Sequence, residues 1–91
     1  MSLKSRTRPQ RLGAKLLTIR TALGLSQNGM IARLGEDLTQ NRISDYELGK
    51  VEPPLGVILS YARAAGVCVE VLIDDVLDLP HALPAKKKHK P

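Results

Sequence analysis

Within residues 25–50 the chain carries two helix-start signals, Ser26 and Thr39, and two helix-stop signals, Gly35 and Gly49. A serine or threonine hydroxyl accepts one of the N–H groups that a helix start leaves unpaired. Glycine enters the left-handed conformation that commonly ends a helix. Start, stop, start, stop in so short a stretch permits two short helices joined by a turn, over residues 27–34 and 40–48. Helices of this length are marginal in isolation, so the rest of the chain has to hold them in place.

The flanks supply that support. Over residues 10–23 the apolar positions Leu12, Leu16, Ile19 and Leu23 recur at helical spacing, with Ala14, Leu17 and Ala22 widening the stripe and Gly24 as the stop. In the second helix Met30, Ile31 and Leu34 face inward, and Gly29 suggests close approach of the third. In the third, Ile43 and Tyr46 point to the core. After the stiff connector Val51-Glu52-Pro53-Pro54, residues 55–65 form a fourth helix with Leu55, Ile58, Leu59 and Ala62 inward and Gly66 as its stop. Residues 67–73, VCVEVLI, suit either a strand by β-branching or a last short helix, and the helical context favours the helix. The predicted class is therefore all-α. The predicted layout is a basic arm (1–9), a helix-turn-helix domain (10–79) and a flexible basic tail (80–91).

Ninety-one residues hold one modest core. Phe and Trp are absent and only Tyr46 and Tyr61 are aromatic, so the core is mainly aliphatic. Too few rings exist for a stacking platform that grips single-stranded nucleic acid. The lone Cys68 excludes an internal disulfide and a cysteine-rich zinc site, and it reads as a small buried hydrophobe. His81 and His89 have no companion ligands, so no metal and no cofactor are expected. No apolar run is long enough for a membrane span. The first residues lack the apolar stretch of a secretory signal, which makes the cytoplasm the expected compartment. No phosphate-binding glycine loop or paired His/Cys constellation suggests an enzyme.

Net charge is +5, and its placement is informative. Lys4, Arg6 and Arg8 crowd one end, and Lys86, Lys87, Lys88 and Lys90 the other. Residues 11–50 are mildly basic. Residues 51–80 set Arg63 against Glu52, Glu70, Asp74, Asp75 and Asp78. A polyanion should meet the first half and the tails.

Leu23-Gly24-Leu25-Ser26-Gln27, Ile31-Ala32, Leu34-Gly35, Ile43-Ser44-Asp45-Tyr46-Glu47-Leu48-Gly49-Lys50, Pro53-Pro54-Leu55 and Ala65-Gly66-Val67 together resemble the Cro/repressor-like, XRE-type helix-turn-helix regulators. The resemblance spans about residues 11–75. It implies a five-helix, lambda-repressor-like domain, usually dimeric, that binds short palindromic operators as a transcriptional regulator. By position it implies base reading by Gln40, Asn41 and Ser44, with Asp45 beside them. It implies phosphate contacts by Gln27, Arg42 and Lys50, and an ion pair between Arg20 and Glu47. The stretch from Glu36 to Arg42 is longer than many members carry, and Glu36 and Asp37 place negative charge near the expected DNA face.

The chemistry of the side chains agrees with that implication. A major groove admits one helix, and a carboxamide such as Gln40 or Asn41 pairs bidentately with adenine. One module reads few base pairs, so a homodimer on a near-palindrome is expected, with half-sites roughly 34 Å apart. Val69, Leu72, Ile73 and Val76 are the predicted dimer contact. Repression is the expected mode. Two rivals stand beside this reading: an antitoxin that controls its own operon and binds a toxin, and a module that uses the same fold to bind another regulator.

Overall fold

The Ser26 hydroxyl accepts the Gly29 N–H at 2.9 Å, and the Thr39 hydroxyl accepts the Arg42 N–H at 3.1 Å. Each fixes a helix start. The computed structural model that contains these contacts describes residues 9–35 and 37–84. Among the described residues the order is α1 (Leu12–Ala22), α2 (Gln27–Leu34), α3 (Gln40–Glu47), α4 (Leu55–Ala65) and α5 (Val69–Ile73), with no strand. The all-α expectation holds. Gly35 closes α2 at φ +70, a left-handed turn that a side chain would strain, and its N–H reaches the Ile31 carbonyl at 3.1 Å. The arm cations Lys4, Arg6 and Arg8, the tail cations Lys86, Lys87, Lys88 and Lys90, and Glu36 lie outside the described residues.

One core runs through the domain. Leu12, Leu16 and Ile19 of α1 meet Met30 of α2, Ile43 and Tyr46 of α3, and Tyr61 of α4. α1 approaches the end of α3 closely. A Cβ on Gly13 would lie 2.8 Å from the Tyr46 carbonyl oxygen and 2.9 Å from that of Glu47. Gly29 does not serve the close approach expected of it, because its nearest neighbours are Ser26 and Leu25 of its own turn.

The inward face of α4 includes Ile58 and Ala62 as expected but not the two leucines. Val57, Ile58, Tyr61, Ala62 and Ala65 are buried, whereas Leu55 is 69% exposed and Leu59 is exposed. An aliphatic count favours the leucines. The Tyr61 ring, fully buried, is the larger side chain and turns the helix towards itself.

Residues 67–84 include the expected last short helix, α5, but depart from expectation in what they pack against, for one physical reason: they close the core. Leu72 is fully buried, so it packs within its own chain and is not a dimer contact. Val69 is partly buried against the same cluster. Ile73 and Leu77 are exposed and Val76 is 84% exposed. Leu83 is buried, so the packed domain extends past residue 79, into the stretch expected to be a flexible tail. Cys68 is exposed at the start of α5, not buried.

Four polar side chains, Lys15, Arg11, Asp75 and Asp78, bind this segment to α1 and its start. Lys15, 4% exposed, occupies the apolar stripe between Leu12 and Ile19. Its Nζ donates to the carbonyls of Val71 (2.7 Å), Leu77 (2.8 Å) and Asp74 (3.0 Å), which accounts for all three ammonium hydrogens. Desolvation, then the Arg11 charge, lowers its pKa, while Asp75, Asp78 and Asp74 oppose the shift. No side chain within α1 caps its start. Asp75 does so from the other end of the domain, accepting the N–H groups of Gln10 (2.8 Å) and Arg11 (3.0 Å). The Arg11 guanidinium returns to the Asp75 carbonyl at 2.6 Å and to the Asp78 carboxylate.

Two predictions follow from these contacts. Gly13→Ala should destabilise the domain by about 1–3 kcal/mol, because helix backbones have to separate to admit the methyl. Gly56→Ala, where a Cβ would meet nothing within 4 Å, should stabilise by up to about 1 kcal/mol. Equal melting temperatures for the two variants would sink this assignment.

The second prediction concerns acid. The Gln10 and Arg11 N–H groups hold the Asp75 carboxyl below its ordinary 3.8, and the Arg11 side chain does the same for Asp78. A depressed carboxylate stabilises the fold above its unfolded-state pKa and loses that contribution as pH falls through the folded-state value. Melts of an Asp75→Asn, Asp78→Asn double variant should therefore fall below the native protein at neutral pH and converge on it in strong acid. A gap independent of pH would rule out ionisation as the cause.

Candidate nucleic-acid interface

α3 presents two faces. Ile43 and Tyr46 are buried, while Gln40, Asn41 and Arg42 are exposed and Ser44 and Asp45 are half-buried. The polar side chains thus gather on the outward side of the helix, mostly in its first turn. The Thr39 hydroxyl takes up only the Arg42 N–H among the first backbone donors of α3, and this end of the helix carries partial positive charge.

The basic groups flank that helix. Arg42 is exposed on its first turn, and Lys50 is exposed in the turn after it, its backbone N–H held by the Asp45 carbonyl at 2.9 Å. Among the described residues neither side chain forms an ion pair. Asp37 is exposed in the turn before the helix.

Beneath this surface lies a buried charge pair. Arg20 Nε donates to Glu47 Oε2 at 2.6 Å, and its second amino group donates to Oε1 at 3.0 Å. The side chains are only 15% and 5% exposed. Such a two-pronged contact is the geometry in which guanidinium and carboxylate bind best. The remaining Arg20 amino group donates to the Leu25 carbonyl at 2.9 Å, tying in the entry to α2. The hydrogen bond to Glu47 raises the Arg20 pKa further above its ordinary value. Glu47 ends α3, where the helix dipole disfavours an anion, and Arg20 offsets that penalty. Tyr61 lies close enough to feel both charges. Burial first, and Glu47 second, push its phenol pKa up, so it stays protonated.

Glu47 also reaches outward. Gln27, the first residue of α2, donates its Nε2 to Glu47 Oε1 at 3.2 Å. Gln40 donates its own Nε2 to Gln27 Oε1 at 3.2 Å. Arg20, Glu47, Gln27 and Gln40 therefore form one connected polar network. Sequence reasoning places all four residues near the site but misses the Gln27 bridge. The signal was the seven-residue step from Gln40 to Glu47, which puts both on one helical face. α5 packs on α4 and α1, so its Val69 and Ile73 do not join this site.

No group of three or more potential metal ligands occurs among the described residues. No helix among them is long and apolar enough to cross a membrane. A family model described as a helix-turn-helix domain matches residues 11–76. No curated protein matches the chain.

The buried pair gives a direct test. Glu47→Ala leaves the Arg20 charge buried without its partner, which typically costs about 3–5 kcal/mol. Chemical denaturation should show that loss, and an unchanged midpoint would refute a structural role for the pair.

Proposed function

The chain belongs to the helix-turn-helix domain family, matched over residues 11–76, and from that premise we propose a sequence-specific, double-stranded-DNA-binding transcriptional regulator. The observation that carries the proposal is the outward face of α3: a capped helix start with Gln40, Asn41 and Arg42 exposed, set on a helix held by a buried ion pair. In this reading α3 lies in the major groove. Gln40, Asn41, Ser44 and Asp45 face base edges, and the carboxamides suit adenine N6 and N7. Gln27, Arg42 and Lys50 meet phosphates and fix the register without reading sequence.

The proposed assembly is a homodimer on a near-palindromic operator, acting in the cytoplasm. Its contact is formed by Ile73 and Val76 with Val69 at the margin, since Leu72 belongs to the core. A bound domain of this kind blocks access to the DNA it covers, so repression is the proposed mode. The second reading, a protein partner such as a toxin or another regulator, draws on the same exposed residues. Val76 and Ile73 stand exposed beside the exposed Asp74, a mixed apolar and acidic surface that suits a basic partner as well as a second copy.

Selection from a random duplex pool at near-physiological salt tests the proposal. It should enrich a near-palindrome with half-sites roughly one helical turn apart. Asn41→Ala should then lose about 1–3 kcal/mol on the selected duplex and little on others. Binding without enrichment that vanishes as salt rises would leave only non-specific charge attraction and defeat the proposal.

A further inference from the structure

We infer that Glu47 is a specificity-positioning residue: its buried carboxylate, acting through the Gln27 carboxamide, fixes which way round the Gln40 carboxamide is presented at the DNA-facing surface. The inference rests on the proposed role of Gln40 in base reading and goes beyond it, because Glu47 itself is too buried to touch a base.

Direction is the core of the argument. An amide side chain can ordinarily be turned end for end with little penalty, since its oxygen and nitrogen are similar in size. Here the chain of contacts has only one workable sense. An ionised carboxylate accepts hydrogen bonds and donates none. Glu47 Oε1 therefore requires the nitrogen of Gln27 to face it, as it does at 3.2 Å. That turns the Gln27 oxygen towards Gln40. A lone-pair oxygen in turn requires the nitrogen of Gln40, which donates to it at 3.2 Å. Reversing Gln40 would set oxygen against oxygen, and reversing Gln27 would set its oxygen against the Glu47 carboxylate.

The helix geometry makes the link possible. Gln40 and Glu47 are the first and last residues of α3, about two turns and roughly 10 Å apart along one face. Gln27, at the start of α2, touches both. Arg20 holds the carboxylate through two hydrogen bonds, so the origin of the relay does not rotate. What remains available on Gln40 is its oxygen and one N–H. That is the acceptor and donor pair that adenine N6 and N7 require. An unrestrained glutamine can present the same atoms, but also in the reversed order and in other rotamers.

The test uses the duplex obtained by selection and its single-base variants. Gln27→Leu removes both relay atoms and leaves the Arg20–Glu47 pair intact, so the fold is retained, and a thermal melt verifies it. The expected result is a loss of about fivefold in A·T preference at one position per half-site, the order expected on freeing one side chain. Gln40→Ala should abolish the preference at that same position. In the free protein, the Gln40 side-chain amide resonances should move in Gln27→Leu, and also in Glu47→Gln wherever that variant folds. If Gln40→Ala abolishes the preference and Gln27→Leu leaves it intact, even with weaker binding to every duplex, the relay is overturned while base reading stands. If Gln40→Ala changes no preference, base reading by Gln40 fails and the relay fails with it.

Discussion

Taking the Glu47 carboxylate out of water, at the unfavourable end of its own helix, would be ruinous without the Arg20 guanidinium beside it. The guanidinium meets it with two hydrogen bonds and spends its third group on the Leu25 carbonyl. One cation therefore fixes the end of α3 against α1 and the path into α2 at the same time. The angle at which α3 is offered to a partner depends on this contact. So does the close approach at Gly13, where α1 touches the carbonyls of Tyr46 and Glu47. Apolar packing around Ile43 and Tyr46 supplies adhesion, but it is non-directional. The ion pair supplies the geometry.

A second polar device serves the opposite side of α1. Lys15 lies in an apolar stripe, which is costly for an ammonium unless its hydrogens are satisfied. Three carbonyls of residues 71–77 satisfy them. The contact lets a segment with little regular structure cover the core, with Leu72 and Leu83 filling the space beneath. Charge clusters that look like a solvated acidic surface in the sequence thus include a structural one. Asp75 and Asp78 reach back at the surface to Gln10 and Arg11.

Local signals were legible and long-range ones were not. Ser26, Thr39, Gly35 and Gly66 act within a few residues of themselves, and both bounds of α2, the start of α3 and the end of α4 follow from them. In α4 the sequence sets Leu55 and Leu59 beside Ile58 and Ala62, because helical periodicity says which residues share a stripe but not which edge of it is buried. Tyr61 decided that. Lys15 sits three residues after Leu12 and four before Ile19, squarely in the stripe, yet a lysine there is recognisable only when its carbonyl partners are known. The burial of Leu72 is hidden for a similar reason: the amount of apolar surface that α1 leaves uncovered cannot be read from residues 67–79. In the candidate site, the exposed identity of Gln40 and Asn41 was visible in the pattern of α3. Their connection to Glu47 through Gln27 was not, because it joins two helices.

The cap on α1 has a bearing on how the chain is made. A helix start is usually secured by a residue beside it, so that the helix is complete when its own sequence is. Here the capping carboxylate of Asp75 is 65 residues from Gln10. A ribosome adds about 5–20 residues per second, so α1 emerges seconds before its cap does. It also precedes the carbonyls that accept from Lys15. Until then its charged, half-apolar surface is open, and α1, made before the other described helices, is among the last to be fastened. Assembly of this domain is therefore a closing of its two ends upon each other, and a nascent chain that stops short of Asp75 lacks the latch.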